Sequence, residues 1–106
     1  MSIANHPPFI NIQAIEVQIW ENKKPRTVII KAATLSRTLL ALVLAGESGI
    51  TALEMGSWAF RLSAYVHRLK KDYGLDIKTE KESHLNGWHA RYILQTPVDI
   101  LDVETN

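Results

Sequence analysis

Cysteine is absent from the 106 residues. That excludes a disulfide framework, a thiolate zinc site, an iron–sulfur cluster and a cysteine nucleophile. Long hydrophobic runs are missing too, since the longest, residues 39–45, is far too short to span a bilayer. Residues 1–8 have neither the basic n-region nor the apolar h-region of a signal peptide, so the expected location is cytoplasmic, with no membrane partner. Charge of one sign is scarce: 12 basic side chains stand against 11 acidic ones, for a net +1. A total that small gives by itself no support for a polyanionic partner. What remains, 46% hydrophobic and 22% charged residues, suits one globular domain with a modest core.

The near-zero total hides a segregation. Residues 57–96 carry a surplus of three positive charges, and residues 97–106 contribute three acids and no base. The chain divides on this reading into a flexible start (1–9), a single domain (10–96) and an acidic C-terminal tail (97–106). There is no internal repeat and no low-complexity stretch.

Within the domain, Ile10, Ile12 and Ala14 alternate with polar residues, and then Ile15, Val17 and Ile19 take over the apolar phase. Alternation predicts a strand, and the slip of one residue predicts a bulge near Ala14. A polar turn and the β-branched run Thr27-Val28-Ile29-Ile30 complete an N-terminal hairpin over 10–31, which must pack on something to be stable. From Thr34 the period becomes helical through Leu35, Leu39, Leu42 and Val43, with Gly46 as the stop. Thr51-Ala52-Leu53-Glu54 is a capping box that opens a short second helix. Ser57 is placed to cap a third helix that ends at Gly74. Its apolar stripe is Leu62, Val66, Leu69 and Tyr73, and the opposite side presents Arg61, Ala64, Arg68 and Lys71. A hairpin over 77–94, turning at Asn86-Gly87, follows.

Two helices joined by a tight turn, the second with a basic stripe, form the helix-turn-helix plan, and a hairpin directly after them makes it a winged helix. The residues that carry this order, Thr51-x-Leu53-Glu54, Arg61-Leu62-Ser63-Ala64-Tyr65-Val66-x-x-Leu69, Tyr73-Gly74-x-x-Ile77 and Ala90-Arg91-Tyr92-x-Leu94, resemble small winged-helix domains of bacterial and phage proteins. The resemblance spans roughly residues 35–94 and implies an α+β fold of three helices and a C-terminal hairpin wing. The N-terminal hairpin is an addition to that pattern, suited to closing the sheet or building a homodimer. This chain has Tyr65 at a position where the pattern often has a basic residue.

The implied activity is binding of double-stranded DNA in transcription regulation, with the third helix in the major groove. Ser57 and Trp58 would then meet a phosphate at the helix start. Arg61 and Arg68 are candidates for guanine edges or phosphates, Ala64 for a thymine methyl, and Tyr65 for stacking. Lys70, Lys71, Lys78 and Lys81 suit phosphates, with His84 and Asn86 on the wing. The bland alternatives are a solvated basic face and a core role for Trp58 and Trp88. A second class of function is a protein-interaction or dimerisation module with the N-terminal hairpin and an exposed Phe60 and Tyr65 as its contact surface; the blander reading, preferred for Phe60, places it under the N-terminal hairpin. A third reading folds the acidic tail over the basic helix as an autoinhibitor.

Neither catalysis nor a cofactor is expected. Gly46-Glu47-Ser48-Gly49 has the wrong spacing and the wrong context for a nucleophile elbow, and no phosphate-binding glycine loop occurs. His84 and His89 are too few ligands for a metal.

Overall fold

The computed structural model describes residues 11–106, so the expectation of a flexible start lies outside the described residues. Strand β1 (Ile12–Glu21) pairs antiparallel with β2 (Lys24–Ile30) across Asn22 and Lys23, both at positive φ. Two central residues in that region match the right-handed twist of the flanking strands. Ala14 and Ile15 are both buried, and the ladder slips beside them. The phase change read in the sequence is therefore a bulge that keeps Ile12, Ile15, Val17 and Ile19 in the core. Pro25 sits in β2, an edge strand, where its missing N–H does no harm.

Helix α1 (Ala33–Ala45) follows and carries the buried side chains Leu35, Leu39, Ala41 and Leu42. Its first turn is tied to the end of β2 by the Ser36 hydroxyl, which donates to the Ile30 carbonyl at 2.8 Å. Helix α2 (Ala52–Met55) opens with the expected capping box. The Glu54 amide donates to Thr51 Oγ1 at 3.2 Å, and the Thr51 amide donates to Glu54 Oε1 at 3.1 Å.

Helix α3 (Leu62–Tyr73) begins later than the sequence suggests. The backbone of Ser57 opens a separate 3₁₀ turn (Ser57–Ala59), and the chain breaks at Phe60 and Arg61 before the helix starts. Arg61, not Ser57, therefore holds the N-cap position, with no side-chain cap bond. Leu62, Val66 and Leu69 pack toward α1, and Gly74 ends the helix.

Strands β3 (Ile77–His84) and β4 (Gly87–Leu94) form the second hairpin. Its two turn residues are Leu85 and Asn86, one position earlier than the Asn86-Gly87 pair expected. Among these residues only Gly87 adopts a positive φ (+135°), so glycine serves the start of β4 and not the turn itself.

The acidic segment is not a tail. Residues Val98–Thr105 form β5, which pairs antiparallel with β1 and makes the sheet order β2-β1-β5. A bulge leaves Leu101 without a partner in β1, so the apolar residues Val98, Ile100 and Val103 lose simple alternation. Trp20 Nε1 adds a 2.8 Å bond to Asp99 across the pair. A segment committed to this ladder does not lie over α3, and the autoinhibitor reading falls with it.

The sheet and α3 both pack on α1, and Arg26 of β2 donates to the Tyr73 carbonyl at the end of α3. Among the described residues, no helix is long and apolar enough to cross a membrane.

Candidate nucleic-acid interface

The face of α3 turned away from α1 is formed by Ser63, His67, Arg68 and Lys71, all exposed, with Ala64 half-buried between them. Arg61 stands exposed at the positive end of the helix, and Lys70 flanks the last turn. Among the described residues, no ion pair occupies Arg61, Lys70 or Lys71. Arg68 is shared, because its guanidinium lies 3.3 Å from Asp72 one turn on. An exposed pair of that spacing is worth only about 0.3–0.5 kcal/mol, little enough for an incoming phosphate to replace.

Two expected contacts are placed otherwise. Tyr65 and Trp58 are half-buried and packed against the core, so neither ring is free as a platform. The expectation that Phe60 is covered fails: it is 80% exposed and, with the equally exposed Leu53, borders a cleft of about 160 Å³ against His89 and Ala90. Two residues of the face, Ser63 and His67, escaped the sequence reading. A helical wheel places both on the polar arc beside Lys71, which was the available signal.

The hairpin separates its lysines. Lys78 and Lys81 are three positions apart on one strand and so point to opposite faces. Lys78 pairs with Glu80 at 3.2 Å, whereas Lys81 lies over the Trp88 ring, 4.9 Å from its centroid. His84 stacks on His89 at 5.2 Å between centroids, and Asn86 is exposed in the turn.

What holds the hairpin in place is Arg91. Its guanidinium donates to Glu82 at 2.9 Å, to Glu54 at 3.0 Å and to the Ser48 carbonyl at 3.0 Å, so it links β3, β4, α2 and the loop before α2. The loop adds a second tie. Ile50 and Tyr92 exchange both backbone hydrogen bonds at 2.9 Å, which makes residue 50 a one-residue third strand of this sheet. Tyr92 is buried there, which pushes its phenol above the ordinary value.

Hydrogen bonds from Arg91 and then His89 hold the Glu82 carboxyl below its ordinary value. Glu82 therefore contributes to stability above about pH 4.5, and the contribution fades as pH falls through the lowered value. Chemical denaturation is expected to find the wild type more stable than Glu82→Gln near neutral pH and the two converging at acid pH. A gap that ignores pH would contradict this origin.

Three helices, a hairpin directly after the third, and a bridge residue between the first two helices that pairs with that hairpin together define a winged helix domain. The chain belongs to this family: the family model, described as a winged helix domain, matches residues 28–104, from within β2 almost to the end of β5. No curated protein and no solved structure gives a significant match.

Proposed function

We propose that the chain binds double-stranded DNA as a small cytoplasmic regulator of the bacterial or phage kind. Helix α3 enters the major groove, and the β3–β4 hairpin acts as the wing beside the backbone. The observation that carries this reading is the exposed face of α3, where Arg61, His67, Arg68, Lys70 and Lys71 stand with a single carboxylate, Asp72. Charge elsewhere supports it. Glu16, Asp99, Asp102 and Glu104 share the face of the other sheet opposite the one that packs on α1, so these acids belong to a different surface from the basic face of α3.

Fluorescence anisotropy with mixed-sequence duplexes, at low and moderate salt, tests the proposal. The wild type is expected to bind with affinity that falls as salt rises. Arg61→Ala should lose about 1–3 kcal/mol if it reads a base, and Lys71→Ala should reduce the salt slope by about one. Absence of any salt-dependent binding would sink the idea.

A second reading, a protein-contact or homodimer module, is favoured by the exposed Leu53 and Phe60 around their cleft and by the position of β2 at the edge of its sheet among the described residues. An NMR titration with duplex DNA separates the two. Shifts along residues 61–71 and 81–89 support the first, and silence there supports the second.

A further inference from the structure

The outermost residue of the β3–β4 hairpin is a leucine. Leu85 is 99% exposed, at the first position of the two-residue turn. A side chain so placed contributes nothing to the core. Isolated exposed apolar residues are ordinary on protein surfaces, but this one stands on a stem with particular properties.

The stem is stiff: Arg91 anchors its base to α2 and the preceding loop, and the His84 and His89 rings stack just below the turn. It is also free of acid near the tip, because no carboxylate occurs between Glu82 and Asp99. Lys81 lies on the same stretch, held over Trp88, with His84 next to the turn. From Thr79, opposite the buried Tyr92, to the turn the strand runs about 20 Å. That is long enough to carry the tip past a sugar–phosphate backbone. An apolar point on a rigid stem, with Lys81 behind it and the nearest carboxylate, Glu82, engaged by Arg91 and His89, suits the architecture by which minor-groove proteins insert a wedge between base steps and bend the duplex.

The geometry points to Leu85 as such a wedge, entering the minor groove beside the major-groove site of α3 and bending the DNA; this rests on the DNA-binding reading above. The one-residue offset of the turn is what creates it. With Asn86 and Gly87 as the central pair, Leu85 would belong to a strand and not to the tip.

The test compares the full chain with Leu85→Ser and Leu85→Met on end-labelled duplexes of about 30 base pairs, long enough for a bend to be read by energy transfer. Anisotropy on the same duplexes gives affinity, and vesicles of mixed neutral and anionic lipid serve as a second target. The wild type is expected to bring the duplex ends closer together. Leu85→Ser should bind about tenfold more weakly, with the bend lost, and Leu85→Met should retain both. If Leu85→Ser binds and bends as the wild type does, or if the wild type binds without bending, the wedge is overturned while DNA binding stands. If the wild type binds no duplex, both readings fall. Vesicle binding that depends on Leu85, with DNA binding indifferent to it, would also overturn the wedge and assign the tip to a lipid surface. Because the side chain touches nothing in the fold, unchanged thermal unfolding of both variants is expected and excludes misfolding as the cause.

Discussion

Gly49→Ala is expected to lower the unfolding free energy by about 3–5 kcal/mol, the sum of backbone strain, a clash and two weakened hydrogen bonds. Gly49 has φ +66° and ψ −177°, a region that other residues rarely enter. A Cβ there would lie 2.6 Å from the Tyr92 carbonyl oxygen and 2.7 Å from Ile93 Cγ1. The carbonyl is backbone and has little room to retreat. It is also the acceptor for the Ile50 amide, so relief of the clash opens the bridge that joins the loop to the hairpin. Against a typical total of about 5–15 kcal/mol, this loss is severe. Gly46→Ala is the control: its φ is also positive (+56°), but an added Cβ would meet nothing within 4 Å. Denaturant titration should show a clearly smaller loss at Gly46, and equal losses would remove the steric account.

The second large effect is expected at Leu39→Ala. Leu39 is fully buried on α1, the helix that supports both β1 and α3. Truncation of a buried leucine removes transfer energy and leaves a cavity, together about 2–5 kcal/mol. Leu44 lies on the same helix but is exposed, and Leu44→Ala should stay within about 0.5 kcal/mol of the wild type. Urea titration of the two variants measures the contrast. A small loss at Leu39 would mean that the sheet and α3 do not share one core.

These two sites differ in how legible they are in the sequence. Leu39 belongs to a run with helical spacing, and periodicity reports burial directly. The same logic reveals the bulge at Ala14, from a slip in alternation, and the α2 start, from Thr51 and Glu54 three residues apart. Ile50 has no such signal, because one bridge residue carries no period, and its pairing with Tyr92 is a purely tertiary fact. Strand β5 was obscured for a related reason. Its bulge at Leu101 breaks the alternation, and three acids in ten residues mimic a solvated tail.

At the candidate interface the basic stripe is legible, but its neighbours are not. Ser57 resembles a cap for α3 because capping preference says nothing about a break four residues later at Arg61. The pairing of Arg91 with Glu54 and Glu82 joins residues 37 and 9 positions apart, beyond the reach of any local motif. The strong Asn86-Gly87 signal locates the hairpin but misplaces its tip by one residue, which is enough to hide Leu85.

Strand β5 carries one more consequence. Ile12 pairs with Thr105, so the central strand of the larger sheet is completed only by closing a loop of more than 90 residues. Loop-closure entropy rises slowly with length, so equilibrium stability suffers little. Folding speed depends more strongly on the sequence separation of contacts. The helices and the β3–β4 hairpin join near neighbours along the chain and can form early, whereas the β1–β5 ladder must wait for a long-range search. Until it closes, β1 presents an open, hydrophobic edge to other chains, a kinetic liability during refolding that the finished sheet conceals.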